Sequence, residues 1–452
     1  MTVSVESRLG EEMHALAARL FPITRSLAGP GIRETLTVLE EVAGPMQRHR
    51  FPTGERVLDW SVPREWHPRE AWVRGPDGEL VCSLADHNLH LVSYSRPVHA
   101  RMGLEDLQGH LHSLPDQPDA IPYRTSYYKD DWGFSLTDAR RRKLVPGEYE
   151  VLVDADLTPG RLEIGEVVVK GTSDAEVLFS TYCCHPSMAN NELSGPVVCA
   201  YLARWLAAAP LAPRHTYRFV FLPETIGAIA YLARFGDRLR AKLAAGWVVT
   251  CIGDPGRFTY KRSRAGSALP DRVAEHVLRQ AGVAHDVLPF VPWGSDERQW
   301  CSPGFDLPVG SLMRSMYGAY PEYHTSLDDL EFITVSALEE SLVLYRAMVE
   351  AVEANQVLVN TCPNGEPQLS SRGLYPTTGG GLAGQRALQN TLSVLNWCDG
   401  TRDLLAVAEH AGRSLRELRE AADPLLAAGL LRPGGVMPAN KPSGLPVDLT
   451  VG

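Results

Sequence analysis

Three apolar runs in the middle of the chain each lead into a polar residue that could take part in hydrolysis. EVLFSTY (176–182) leads to His185, YRFVFL (217–222) leads to Glu224, and WVVTCIG (247–253) leads to Asp254. A second histidine, His324, lies in a later polar loop. Ligands of open α/β sheets bind beyond the carboxyl ends of the strands, so these side chains are predicted to converge there.

Histidine nitrogens and carboxylate oxygens are donors that zinc takes in hydrolases. Zinc lowers the pKa of a bound water and polarises a carbonyl, while an unligated glutamate takes the water's proton and passes it to a leaving amine. We therefore predict His185, Asp254 and His324 as metal ligands and Glu224 as the general base. Each residue also has an ordinary structural interpretation, since lone histidines are more often structural and Asp254-Pro255-Gly256 is good turn chemistry.

The order of the motifs adds a resemblance. His185 is followed by Asn190-Asn191-Glu192-Leu193-Ser194-Gly195, then by Glu224-Thr225-Ile226-Gly227, Asp254 and His324-Thr325. This order resembles that of the co-catalytic zinc aminopeptidases, whose motifs read histidine, Asn-Asp-Asn-Ala-Ser-Gly or similar, Glu-Glu-x-Gly, aspartate and His-Thr. A bacterial branch of aminopeptidase-like proteins, with an inserted β domain of unknown function and a C-terminal winged helix, is more similar still. Stretches that also resemble this branch lie at 25–36, 121–134 and 294–299.

The resemblance implies a zinc-dependent hydrolase of an amide or peptide bond, acting on a small amino-acyl or sugar-linked metabolite or a short peptide. Two positions depart from the family pattern: Asn191 stands where an aspartate bridges two zinc ions, and Thr225 stands where a glutamate binds one of them. Both changes remove negative charge, which favours one tightly bound zinc over two. Either Asn191 or Glu192 is the further ligand. The alternative is a non-catalytic binding or regulatory protein with a degenerate metal site.

Other residues are candidates for contact with the substrate. Asp296 and the loop from Tyr317 to Tyr323 would border the same cleft, unless they form only a polar loop with surface aromatics. Tyr128 and Trp132 would form a lid over the cleft, unless they belong to the core of their own β unit.

The pattern of the whole chain predicts an α/β fold, with a mainly parallel sheet flanked by helices, because apolar strands alternate with helices from about residue 175. Residues 7–50 have helical spacing with a break at Phe21-Pro22, and residues 51–170 hold short apolar runs between turns. We predict a zinc aminopeptidase-like domain at 1–50 and 160–356, an inserted β-rich domain at 51–159, and a winged-helix-like domain at 357–452.

Composition restricts the partners and the compartment. The 452 residues carry a net charge of -10, which makes nucleic acid an unlikely partner. The segment from residue 399 to 432 contains five arginines and six acidic residues, so it has no excess of basic charge for nucleic acid. The C-terminal domain is therefore predicted to make protein contacts, such as a homo-oligomer interface. Eight scattered cysteines, no signal peptide and no long apolar run predict a cytoplasmic protein without membrane contact.

Overall fold

The computed structural model describes residues 3–375 and 382–435. The chain divides into two compact units, Met1–Arg264 with Ala284–Val343, and Ala265–Val283 with Leu344–Gly452. The α-helices are α1 (Val3–Leu20), α2 (Pro30–Ala43), α3 (Leu104–Gln108), α4 (Asp138–Arg141), α5 (Ser194–Ala207), α6 (Ile226–Lys242), α7 (Leu269–Ala281), α8 (Glu297–Trp300), α9 (Val335–Ala354), α10 (Leu382–Trp397), α11 (Leu404–Ala411) and α12 (Leu415–Ala427). The strands are β1 (Gln47–Pro52), β2 (Arg56–Val57), β3 (Trp60–Ser61), β4 (Glu65–Arg74), β5 (Leu80–Ser83), β6 (Val98–Gly103), β7 (Leu111–His112), β8 (Phe134–Ser135), β9 (Glu148–Thr158), β10 (Arg161–Val169), β11 (Glu176–Tyr182), β12 (Thr216–Leu222), β13 (Leu243–Val249), β14 (Phe258–Lys261), β15 (His285–Leu288), β16 (Val309–Met313), β17 (Val357–Asn360), β18 (Asp399–Asp403) and β19 (Leu431–Pro433).

The first unit is built on an eight-stranded mixed sheet in the order β1-β10-β12-β11-β13-β16-β14-β15. Its centre, β12-β11-β13-β16, is parallel, and antiparallel pairing begins at β10 on one side and β14 on the other. Every residue of β11 is buried, as a continuous apolar run predicts for a strand covered on both faces. The α/β class and the parallel centre of the sheet are thereby confirmed.

Helix α5 approaches this sheet closely at its first turn. A Cβ atom at Gly195 would lie 2.2 Å from the Val249 carbonyl oxygen and 2.6 Å from Thr181 Oγ1. Glycine is therefore required where the helix begins, directly beside the strand ends.

The segment between β1 and β10 carries a second, antiparallel sheet in the order β5-β4-β9-β6. Burial alternates along β9, so one face of this sheet covers a local apolar core. Trp132 belongs to the buried part of this segment and stacks on His110, with ring centroids 3.8 Å apart. This sheet lies within the first compact unit, and the predicted division into three domains remains a prediction.

The second unit contains the small antiparallel sheet β18-β17-β19 with helices α7, α10, α11 and α12. Arg272 of α7 binds the carboxylate of Asp403 with two hydrogen bonds of 2.8 and 2.9 Å. Ser414 and Glu417 form a capping box at the start of α12. In the described part of the chain, no helix is long and apolar enough to cross a membrane.

Candidate active site

A cavity of about 640 Å³ lies beyond the carboxyl ends of the central parallel strands. Cys184 and His185 reach it from the loop after β11, and Glu224 and Thr225 reach it from the loop after β12. His324 and Arg298 line it from later loops. The cavity therefore brings together three of the four residues that were predicted to converge, His185, Glu224 and His324.

The His185 imidazole is fixed by a buried carboxylate. Glu192 Oε2 lies 2.6 Å from His185 Nδ1 and accepts a hydrogen bond of 2.5 Å from the His185 backbone N–H. Glu192 Oε1 accepts from Arg25 Nε at 3.2 Å, and both side chains of this ion pair are fully buried. Burial alone would lower the pKa of His185, but the hydrogen bond and charge of Glu192 outweigh it and raise that pKa.

The other ring nitrogen of His185 faces the general-base candidate. His185 Nε2 lies 3.6 Å from Glu224 Oε2, which is too long for a hydrogen bond and close to the separation of two ligand atoms on one zinc ion. The Glu224 side chain is 23% exposed, and its backbone N–H donates to Cys184 Sγ at 3.3 Å. Burial raises the pKa of Glu224, which makes this carboxylate a better proton acceptor near neutral pH.

Asp296 holds the backbone of the loop that carries Glu224 and Thr225. Its Oδ1 accepts a hydrogen bond of 2.7 Å from the backbone N–H of Thr225, whose φ of 62° is strained for a β-branched residue. The other oxygen, Oδ2, is buried without a hydrogen-bond partner in the described chain. Burial and the charge of Glu224 raise the pKa of Asp296 well above its usual range. Asp296 does not line the cavity, so it holds the loop that carries Glu224 in place.

His324 is held by aromatic rings and by Asn191. Tyr323 stacks on it at 3.9 Å between centroids, and Tyr123 meets it edge-on at 5.3 Å. Its Nε2 donates to Asn191 Oδ1 at 3.2 Å, while Asn191 Nδ2 donates to Tyr182 Oη at 2.8 Å. Burial and the charge of His185 lower the pKa of His324 to about 3, so this ring is neutral.

Asp254 does not line the cavity, and its role as a metal ligand stays a prediction. Strand β13 ends at Val249 and not at Gly253, so Asp254 lies in the loop beyond the strand end. Its carboxylate accepts hydrogen bonds from Asn190 Nδ2 (2.9 Å), Gly256 N (2.8 Å) and Ser315 Oγ (2.6 Å). The structural interpretation, turn chemistry, is the one that the contacts support.

The remaining predicted contacts divide into two groups. Tyr128 lines the cavity, with its ring 53% exposed. Trp132 and Tyr317 do not line it: Trp132 packs in the inserted sheet's segment, and Tyr317 Oη donates to Glu297 Oε1 at 2.7 Å in a buried cluster. Tyr323 acts on His324 through stacking.

Four residues of the site were not predicted individually, namely Arg25, Tyr123, Arg124 and Arg298. The inserted segment brings two of them, because the backbone N–H of Tyr123 donates to the His324 carbonyl at 2.8 Å and Pro122 forms a bridge with Thr325. The signal was their position inside stretches that resemble the bacterial branch, in which these four residues had no site role assigned.

One group of side chains in the described chain could hold a cation. In the described chain, the group with suitably close ligand atoms is Cys184, His185 and Glu192, within 4.8 Å of one another. Glu192 is already neutralised by Arg25, however, and Asn191 and Thr225 offer only neutral oxygens. The nitrogen that faces the cavity is His185 Nε2, with Glu224 beside it.

Comparison with known proteins shows the family to which the chain is related. Residues 14–355 match the model of a domain of unknown function, DUF4910, and residues 356–433 match a winged helix-turn-helix. A Clostridium acetobutylicum protein is 42% identical over 426 residues, which cover 94% of this chain and 97% of that protein. Its provisional name describes a polysaccharide biosynthesis protein with an aminopeptidase-like domain.

Solved structures are also similar to this chain. A crystal structure from Clostridium acetobutylicum, provisionally described as a peptidase, has a TM-score of 0.88 at 41% identity and covers 95% of this chain and 97% of that one. A zinc aminopeptidase from Bacillus subtilis has a TM-score of 0.56 at 12% identity, covering 76% and 95% of the two chains. A peptidase M28 precursor from Shewanella amazonensis has a TM-score of 0.51 at 13% identity, covering 76% and 96%. The last two share the fold alone.

Proposed function

The chain belongs to the DUF4910 family of aminopeptidase-like proteins with a C-terminal winged helix, and from that premise we propose that it hydrolyses an amide bond in the cavity between His185 and Glu224. The observation that carries the proposal is the buried chain Arg25–Glu192–His185, which presents His185 Nε2 beside Glu224 Oε2 at 3.6 Å. A purely structural histidine would not need an oriented nitrogen facing a carboxylate in an accessible cavity.

One zinc ion is part of the proposal, with His185 as its principal nitrogen donor and His324 as the second. When bound, such an ion polarises a carbonyl and lowers the pKa of a water molecule. Glu192 acts as a positioning residue, because a carboxylate on Nδ1 fixes the tautomer that leaves the Nε2 lone pair free. His324 is suited to act as the second nitrogen donor because its ring is neutral.

Glu224 is the general base of the proposal. Its carboxylate takes the proton of the attacking water and returns it to the leaving amine. Asp296 and Cys184 hold the backbone on either side of Glu224, through Thr225 N and Glu224 N. The base therefore stays in one place while its proton moves.

The test is Glu224→Gln, assayed with zinc against a panel of amino-acyl amides, short peptides and N-acylated amino sugars. We expect kcat to fall by about 100- to 10,000-fold, because glutamine keeps the shape but cannot accept the proton. Zinc content, measured by elemental analysis, should stay near one equivalent per chain. The matched control is Glu148→Gln, whose side chain is 69% exposed and lies outside the cavity lining.

Full activity in Glu224→Gln would refute the general-base role. Two equivalents of zinc that resist dialysis would refute the single ion. If no amide is cleaved and no metal is retained, the protein binds its ligand without turnover.

A further inference from the structure

Within the part of the chain that the structure describes, two arginines of the cavity have no carboxylate partner. Arg124 and Arg298 both line it, one from the inserted segment and one from helix α8. Arg298 Nη2 donates to the neutral Thr225 Oγ1 at 3.1 Å, and its Nε is buried without any partner in the described chain. The Arg124 guanidinium makes no hydrogen bond or ion pair with the residues that the structure describes.

Elsewhere in the first unit, buried arginines bind carboxylates. Arg25 is paired with Glu192, and Arg218 contacts both Glu166 and Glu176 at 2.8 Å. Burying a guanidinium without a counter-charge costs free energy. The absence of a protein partner at Arg298 therefore indicates that the ligand supplies the negative charge.

The nearest acids do not neutralise Arg298. Glu224 and Asp296 influence it through space, and neither carboxylate lies within ion-pairing distance in the described chain.

Aromatic rings line the same cavity beside the arginines. Trp60 and Tyr128 meet edge-on with centroids 5.7 Å apart, and Tyr127 lies close to Tyr123 through a 2.7 Å hydroxyl contact. Leu27 and Ile226 add apolar surface. The cavity thus offers two guanidinium groups for an anion and flat apolar surface for the rest of a small molecule.

We propose that Arg124 and Arg298 form an anion subsite, and that the substrate is an amide bearing a carboxylate or phosphate group. The guanidinium groups hold the anion while the amide lies toward His185 and Glu224. Reaction at this ligand rests on the proposed function, whereas binding of the anion does not. Guanidinium binds carboxylate and phosphate with the same forked geometry, so the shared chemistry is an oxyanion.

The experiment measures binding of three probes to the purified full chain by isothermal titration calorimetry, with zinc and after chelation. Succinate tests the carboxylate source, inorganic phosphate tests the phosphate source, and succinamide is the neutral control of the same shape as succinate. The variants are Arg124→Gln, Arg298→Gln and Arg298→Lys. Arg101→Gln is the charge-matched control, because Arg101 is 63% exposed and lies outside the cavity lining.

We expect succinate or phosphate to bind at least tenfold more tightly than succinamide, with or without zinc. Arg124→Gln and Arg298→Gln should each weaken that binding by about tenfold or more, since hydrogen bonds to charged groups contribute on this order. Arg298→Lys should recover part of the loss, and Arg101→Gln should bind like the parent. Thermal unfolding of each variant checks its fold, and Arg124 is exposed enough for its variant to fold normally.

Equal binding of succinate and succinamide would overturn the subsite, as would parental affinity in both glutamine variants. Cleavage of neutral amides without arginine-dependent anion binding would reject the subsite and leave the hydrolase standing. Arginine-dependent anion binding without cleavage of any amide would support the subsite and reject the hydrolase.

Discussion

Glu192→Gln tests whether Glu192 holds the His185 ring in position or serves as a metal ligand. Arg25 and Glu192 are both fully buried, and Glu192 also receives two contacts from His185. Removing one partner of a buried ion pair costs about 3–5 kcal/mol, because the remaining charge is left uncompensated. Glutamine retains one acceptor oxygen, but its NH₂ group would meet a donor of either His185 or Arg25.

The assay is chemical denaturation of the metal-free protein, followed by tryptophan fluorescence, beside NMR titration of His185. We expect Glu192→Gln to lose about 3–5 kcal/mol of unfolding free energy and to lower the pKa of His185, which Glu192 raises. Glu41→Gln is the matched control, because the Arg19–Glu41 pair has the short distance of 2.8 Å but side chains 53% and 52% exposed. Such a surface pair contributes about 0–1 kcal/mol.

A second variant tests the cause. Arg25→Met/Glu192→Gln removes both charges, so it should lose less stability than Glu192→Gln alone. A loss below about 1 kcal/mol in Glu192→Gln, like that of the surface control, would show that the pair does not hold the site. A double variant less stable than the single one would show that the lone charge is not the cause.

Two further predictions concern the fold around the site. Burial alone would raise the pKa of Glu166, but hydrogen bonds from His49, Tyr231 and Arg218 lower it to about 2. The ionised Glu166 carboxylate therefore stabilises the fold above pH 4.5, and this contribution is lost as the pH falls toward 2. Over that range the unfolding free energy of the parent should decline by up to about 3 kcal/mol more than that of Glu166→Gln, which has no carboxylate to protonate. Identical acid profiles would contradict this. Gly195→Ala should lose about 1–3 kcal/mol through overlap with the Val249 carbonyl, whereas Gly109→Ala, whose Cβ would be 3.5 Å from its nearest neighbour, should unfold like the parent.

The sequence predicted the elements of the sheet well because its central strands are continuous apolar runs. EVLFSTY (176–182) coincides with β11, and YRFVFL (217–222) lies within β12. These signals depend on local burial, and burial is encoded residue by residue. The class of fold and the edge of the sheet that holds the site followed directly.

Side-chain roles near the strand ends were less predictable, because a few residues of loop change which side chain faces the cavity. The run WVVTCIG (247–253) predicts a strand over its whole length, whereas β13 ends at Val249, so Asp254 lies in the loop beyond the strand end. Arg298 and Tyr123 could not be found by strand order, because one lies on a short late helix and the other arrives from the inserted segment. Such contacts depend on tertiary packing that spacing alone does not encode.

Three residues at or near the site have positive φ angles, and a specific contact holds each of them. Thr225, Cys251 and His324 have φ values of 62°, 52° and 57°. Conformations of this kind cost about 1–3 kcal/mol each, so the surrounding structure must determine them. Thr225 N donates to Asp296, Cys251 N donates to the Asn190 carbonyl at 3.2 Å, and the His324 carbonyl accepts from Tyr123 N. The Asn190 side chain also donates to the Asp254 carboxylate, so Asp254 helps to hold the loop beside Asn191. Part of the folding free energy therefore offsets this backbone strain and keeps the residues of the site in one arrangement, as pre-organised catalysis requires.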